Sequence, residues 1–256
     1  MDYIEINKQA WDKRTAVHFE SQFYDVPGFL DGKSSLNPIE LAQLGEVQGK
    51  SLLHLQCHFG LDSLSWSRLG ASVTGVDLSS RAIEKARWLA DKLRLDARFI
   101  ESDLYQFGQH NEQEFDLVFS SYGALCWLPD LDAWASLIAK ALKPQGEFHL
   151  VEFHPIVDLL SGYAYFPQGQ GDVEQEGTYT ENCQGEKSTT VCWSHSLSEV
   201  LTALLKAGLT LLEVNEHAYS PYNCFEGLEY VEGQGYQMIH QGQQVPLVYS
   251  IKAQKG

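Results

Sequence analysis

The chain has 256 residues, 44% of them hydrophobic and 20% charged, which suits a soluble globular protein with a sizeable core and excludes a disordered one. Thirty-four Asp and Glu stand against 18 Lys and Arg, a formal net charge of -16. Such a surface repels phosphate backbones and anionic membranes, so neither a nucleic acid nor a membrane is expected as a partner. No apolar run approaches membrane-spanning length, and the opening MDYIEINKQAWDKR lacks a basic stretch followed by an apolar one, so a cytoplasmic protein is expected. Cys57, Cys126, Cys183, Cys192 and Cys224 form no CxxC pair and are odd in number. Reduced thiols are the simplest reading, with a Cys183–Cys192 disulfide as the alternative.

In chain order, residues 1–45 form a mixed leader with a helix over 7–19 and a second short helix over 39–44. The apolar run 51–55 reads as a buried strand. After Gly60, Leu61, Leu64 and Leu69 recur at near-helical spacing up to Gly70. A second strand over 72–76 ends at Asp77, and Ser79 or Ser80 caps a helix over 81–93. Strands over 97–101 and 115–120 follow, then a helix over 131–142 closed by Pro144 and Gly146, and a fifth strand over 147–153. The rhythm breaks over 154–192, where a hairpin is expected between 178–180 and 189–192. A helix over 195–207, a strand over 209–214, a polar stretch over 215–244 and a last strand over 246–252 complete the chain.

Strand and helix alternating in this way imply right-handed crossovers and a sheet covered on both faces. The expected fold is α/β: a doubly wound, mostly parallel, seven-stranded Rossmann-like sheet. It forms one domain over 1–256, with 1–45 as a helical lid and 155–193 as an inserted cap.

Ligands bind such sheets outside the carboxyl ends of the strands, so the residues just after each strand carry the chemistry. Asp77 lies 17 residues beyond Gly60 at the end of the second strand, where a carboxylate can accept both hydroxyls of a ribose. A plain helix N-terminal acid is the duller reading. Asp103 stands where it could accept from the amino group of adenine, or it is a solvated loop acid. His54 lies inside a strand and is expected to be a satisfied core histidine. The 54/58 spacing of two histidines on a strand and turn has no partner ligand, so no metal is expected.

LLHLQCHFGLDSLSWSRLGASVTGVDLS, ESDL and FDLVFSSYGALCWLPDL together resemble the cofactor core of class I S-adenosylmethionine-dependent methyltransferases of the bacterial small-molecule type, over about 48–153. The resemblance implies methyl transfer from S-adenosylmethionine to a small molecule. It implies a cofactor site of Gln56, Cys57, His58, Gly60, Asp77, Leu78, Ser102, Asp103, Leu104 and Ser120. Asp77 would take the ribose diol and Asp103 the adenine amine. The first turn departs from the family: His54 replaces its strand acid, and Gln56 and His58 replace its first two glycines, leaving Gly60. Side chains at 56 and 58 are therefore expected to contact the cofactor's amino acid end or the acceptor.

Candidates for a base near the acceptor are His58, Tyr122 and His154. Ser120-Ser121-Tyr122-Gly123 is not the Asn/Asp-Pro-Pro-aromatic motif of nucleobase or amide methylation. Cys126 is expected to pack beside Trp127 rather than act as a nucleophile. Trp11, Phe23, Tyr24, Tyr163, Tyr165 and Phe166 are candidates to wall an apolar pocket. An NAD-dependent oxidoreductase would want GxGxxG on the first turn, which Gln56 and His58 contradict. A non-catalytic ligand-binding protein on the same fold is the other alternative.

Overall fold

The computed structural model describes residues 2–256. Its helices are α1 (Tyr3–Phe19), α2 (Val26–Leu30), α3 (Pro38–Leu44), α4 (Leu61–Arg68), α5 (Ser80–Leu93), α6 (Leu104–His110), α7 (Leu131–Ala141), α8 (Ile156–Leu160) and α9 (Leu197–Lys206). The strands are β1 (Ser51–Leu55), β2 (Ser72–Asp77), β3 (Ala97–Glu101), β4 (Phe115–Ser121), β5 (Leu142–Phe153), β6 (Asp172–Glu176), β7 (Ser188–Cys192) and β8 (Leu209–His217). Four short ones, β9 (Glu229–Val231), β10 (Gly235–Gln237), β11 (Ile239–His240) and β12 (Gln243–Gln244), precede β13 (Val248–Lys255).

Seven strands form one sheet in the order β3-β2-β1-β4-β5-β13-β8. The first five run parallel, and β13 lies antiparallel between β5 and β8. The parallel strands need crossovers, which α4, α5, α6 and α7 supply. Leu52, Leu53 and Leu55 on β1 are fully buried, as a strand covered on both faces requires. One apolar layer joins β1, β4 and β5 to α7 and α9 through Trp134, Phe148 and Leu204. The other packs Phe59, Leu64, Ile83 and Phe99 between α4, α5 and the sheet. Strand order reverses between β1 and β4, which opens a crevice at their carboxyl ends.

The inserted hairpin pairs β6 with β7, Asp172 opposite Cys192 and Glu176 opposite Ser188. The first arm is thus 172–176, not the Thr-rich 178–180. Its register is fixed by α1: Asn7 donates through Nδ2 to the Val191 carbonyl at 2.9 Å and accepts from the Val191 N–H at 2.8 Å. Arg14 adds an ion pair to Glu176 at 2.5 Å. Asp12 of α1 accepts from Ser79 Oγ at 2.7 Å and the Arg81 N–H at 3.1 Å, so the same helix docks on the start of α5. Leader and hairpin therefore roof the carboxyl end of the sheet. All five cysteines are free, so the Cys183–Cys192 disulfide is not formed. Among the described residues no helix is long and apolar enough to cross a membrane.

Candidate active site

The turn after β1 is held in an unusual backbone. Gln56, His58 and Gly60 have φ of 53°, 51° and 78°, so every second residue is left-handed. Glycine does this freely, whereas Gln and His each bear a cost of roughly 1 kcal/mol. At Gly60 a Cβ would also stand 2.7 Å from the Phe99 ring, so glycine is required there. The cost at 56 and 58 is met by tertiary contacts. Gln56 donates through Nε2 to the Ala124 carbonyl at 2.8 Å, tying the turn to the loop after β4. The His58 ring packs against Phe59, His18, Tyr24 and Trp11 with centroids 4.1 to 5.4 Å apart. Burial holds its imidazole well below the usual histidine range. His58 Nε2 and Gln56 Oε1 are buried with no hydrogen-bond partner in the protein.

Asp77 ends β2 opposite this turn. Its Oδ2 accepts from the His58 N–H and its Oδ1 from the Ser79 N–H, both at 2.8 Å. Burial, reinforced by Asp12, raises its pKa to about 6, although those two N–H groups favour the anion. Asp103 lies two residues past the end of β3 and caps α6, with Oδ1 accepting from the N–H groups of Tyr105 and Gln106 at 3.0 Å. Leu104 beside it is buried.

These residues share the wall of one cavity of about 1280 Å³. Gln56, Cys57, His58, Gly60, Asp77, Leu78, Ser102, Asp103, Leu104 and Tyr122 all line it, as do Trp11, Phe23, Tyr24 and Tyr163. Two expected site residues do not. Ser120 is fully buried within β4, its hydroxyl without a partner, and the pleat turns its neighbour Ser121 to the cavity instead. His154 also points away: Phe153 takes the cavity side, while His154 Nε2 meets Glu216 at 2.8 Å and Nδ1 accepts from the Ile156 N–H at 3.1 Å. Tyr165 and Phe166 are likewise outside the wall. His54 is a satisfied core residue, with Nδ1 2.8 Å from Ser63 Oγ.

Around Tyr122 lies a second polar group, whose acids Glu40 and Asp62 the sequence did not announce. Tyr122, left-handed at φ 41°, donates its hydroxyl to Glu40 Oε2 at 2.7 Å. Glu40 is the third residue of α3, and its Oε1 accepts from the Asn37 N–H at 2.6 Å and Nδ2 at 3.0 Å. It is fully buried, and burial with nearby Asp62 lifts its pKa to about 7. Asp62, in the first turn of α4, lines the cavity and accepts from Ser35 Oγ at 2.6 Å and Ser121 Oγ at 3.5 Å. Burial raises it to about 6. The Tyr122 and Tyr222 rings meet edge to face at 5.0 Å, and Tyr222 accepts from Asn37 Nδ2 at 2.8 Å. Beneath this group, buried Glu152 takes the N–H groups of Gly123, Ala124, Leu125 and Phe153 and so fixes the loop after β4.

Residues 52–146 match the family described as Methyltransferase domain. The ubiquinone biosynthesis O-methyltransferase of Alkalilimnicola ehrlichii is 29% identical over 130 residues, 49% of this chain and 52% of that protein. That of Proteus mirabilis is 28% identical over 148 residues, 56% and 59% of the two chains. The chain thus spans about half the length of the curated relatives it matches. An S-adenosylmethionine-dependent methyltransferase from Clostridium acetobutylicum superposes with a TM-score of 0.61 at 13% identity, covering 98% of both chains. One from Mesorhizobium loti gives 0.58 at 21%, covering 88% of this chain and 100% of the other. These solved structures share the fold.

Proposed function

We propose that the chain, whose residues 52–146 match the Methyltransferase domain family, is a class I S-adenosylmethionine-dependent methyltransferase that transfers a methyl group from S-adenosylmethionine to a small molecule. The observation that carries this reading is Asp77, held at the cavity wall by two backbone N–H groups. Each carboxylate oxygen keeps a second lone pair, so the pair is oriented to accept from a vicinal diol. Asp103 spends Oδ1 on α6 and keeps Oδ2 for an amino group, with Leu104 against the ring. The unpartnered Gln56 Oε1 and His58 Nε2 fit the cofactor's amino acid end or the acceptor. Ser102 and Leu78 complete that wall.

When bound, S-adenosylmethionine supplies a sulfonium methyl carbon open to in-line displacement. The protein's part is then to orient the reactants and exclude water. Residues 1–45 and 155–193 act as lid and cap of the single domain, consistent with α1 bridging the hairpin and the start of α5. Of the candidate bases, Tyr122 and His58 stay in the reading, since both line the cavity. Unpaired cysteines and an acid-rich surface support a cytoplasmic enzyme acting on small molecules.

The test is incubation of the full chain with methyl-tritiated S-adenosylmethionine and fractionated bacterial metabolites. Label is expected in a small-molecule fraction. Cofactor binding with no label transferred to any fraction would favour the non-catalytic alternative and contradict the proposal.

A further inference from the structure

Asp62 is a cavity-facing carboxylate whose protein partners are hydroxyls alone, Ser35 Oγ and Ser121 Oγ. The ionisable groups whose proton affinity its charge raises are Tyr24 before α2, Glu40 on α3, Cys57 in the first turn, Tyr122 after β4 and Tyr222 before β9. Every one of them is an acid. The two permanent cations of the cavity wall, Arg14 and Lys33, are already paired, with Glu176 and Asp25, each at 2.5 Å. Asp62 is half-buried; a carboxylate partly withdrawn from water without a counter-charge is costly, and a positive ligand relieves that cost.

The surroundings of Asp62 are aromatic as well. Tyr122 and Tyr222 meet at 5.0 Å, Tyr222 and Phe23 at 5.4 Å, and Phe23 and Tyr24 at 5.0 Å. Ring faces attract ammonium groups and do little for anions. Tyr122 commits its proton to Glu40, which leaves the phenol oxygen as an acceptor rather than a donor toward the cavity. Carboxylate, ring faces and phenol oxygen all therefore favour a cationic donor. The group stands at the carboxyl end of β4, in the same cavity as Asp77.

We propose that the methyl acceptor is a primary or secondary amine that enters protonated, that its ammonium is held by the Asp62 carboxylate between the rings of Tyr24, Tyr122 and Tyr222, and that Asp62 takes its proton. This rests on the methyltransferase reading. The step balances: one ammonium N–H bond breaks with its proton passing to Asp62. The freed nitrogen pair then forms the bond to the methyl carbon, and the carbon–sulfur pair stays on sulfur as the neutral thioether. The product is the N-methylated ammonium, and Asp62 returns its proton to water. A raised carboxyl pKa suits this exchange.

The test uses three probes of one shape: 2-phenylethylamine, 2-phenylethanol and 3-phenylpropanoate. Each is titrated calorimetrically into the full chain saturated with S-adenosylhomocysteine at neutral pH. The amine is expected to bind about tenfold or more tightly than the alcohol, and the acid more weakly than both. Asp62→Asn keeps an oxygen acceptor for Ser35 and should bring the amine close to the alcohol while S-adenosylhomocysteine affinity is unchanged. The parent's own amine-to-alcohol ratio decides the matter even where that variant does not fold. An alcohol that binds as well as the amine, no amine binding, or a preference that survives Asp62→Asn with S-adenosylhomocysteine still bound would overturn the amine assignment alone. Failure of S-adenosylhomocysteine itself to bind would overturn the methyltransferase reading and the assignment with it.

Discussion

Along one stretch of the cavity wall, Asp77 and Asp103 are fixed by backbone N–H groups close in the chain or in the neighbouring turn, at His58, Ser79 and, in the first turn of α6, Tyr105 and Gln106. Along another stretch of the same wall, Asp62, Tyr122 and Tyr222, with Glu40 buried behind Tyr122, come from four separate segments and are fixed by one another and by a few hydroxyl and amide groups. The first stretch is a set of local devices on strand ends. The second exists only once the leader has folded back over β4. Changes on the first stretch should thus act singly, on ligand affinity. Changes on the second should be coupled, because Asp62 raises the proton affinity of Glu40 and Tyr122 bonds to Glu40.

The sharpest break of the first stretch is Asp77→Ala. It removes the acceptor proposed for the ribose diol and strands two buried N–H groups. S-adenosylhomocysteine affinity should fall about a hundredfold, roughly 3 kcal/mol, and the melting temperature should drop by several degrees. Calorimetry on folded protein with unchanged affinity would remove Asp77 from the site.

The second stretch is probed through pH. Glu40 keeps its proton up to about pH 7 in the folded chain, against an ordinary value of 4.5. Folding therefore takes up a proton between those values. The stability this contributes is fully present in acid and is lost as pH rises through about 7. Buried His18 and His54, lowered to about 3, work oppositely and cost stability as pH falls below 6.5. Their contribution cancels when a variant is compared with its parent. Glu40→Gln, which cannot ionise, should gain stability relative to the parent between pH 5 and pH 8 by on the order of 2 kcal/mol. Parallel melting curves at both pH values would show that Glu40 does not titrate as described.

Replacing both Gln56 and His58 with Gly tests whether the unusual turn belongs to the site. Glycine relieves the left-handed strain but removes the Gln56 tie to Ala124 and the His58 ring. About tenfold weaker S-adenosylhomocysteine binding is expected from lost contacts and a looser free turn. Tighter binding would mark the turn as a decayed site. The smallest effect belongs to Ser120→Ala. Its buried hydroxyl has no partner and lies off the cavity, so affinity should stay level and stability should rise by up to about 1 kcal/mol. A loss of affinity would return Ser120 to the cofactor wall.

What could be read in the sequence follows the same division. All seven sheet strands were legible, the central ones as short buried apolar runs, and the acids after β2 and β3 followed from position alone. Helix α6 was not, being short and interrupted by Gly108. The first hairpin arm was misplaced because Thr178 and Thr180 have strand propensity, whereas acidic 172–176 is held by α1. Ser120 and His154 failed by one residue each: alternation along a strand sends neighbours to opposite sides, and the turn out of the strand decides which faces the cavity. Glu40 and Asp62 look like ordinary first-turn acids of helices. Their meeting with Tyr122 is a product of tertiary folding, and no local spacing records it.

Whether the cavity beside Asp77 takes S-adenosylmethionine is tested most directly by calorimetric titration of the unmodified chain with S-adenosylhomocysteine and, separately, NAD. One-to-one binding of S-adenosylhomocysteine and none of NAD is expected. Binding of NAD without S-adenosylhomocysteine would contradict the S-adenosylmethionine assignment.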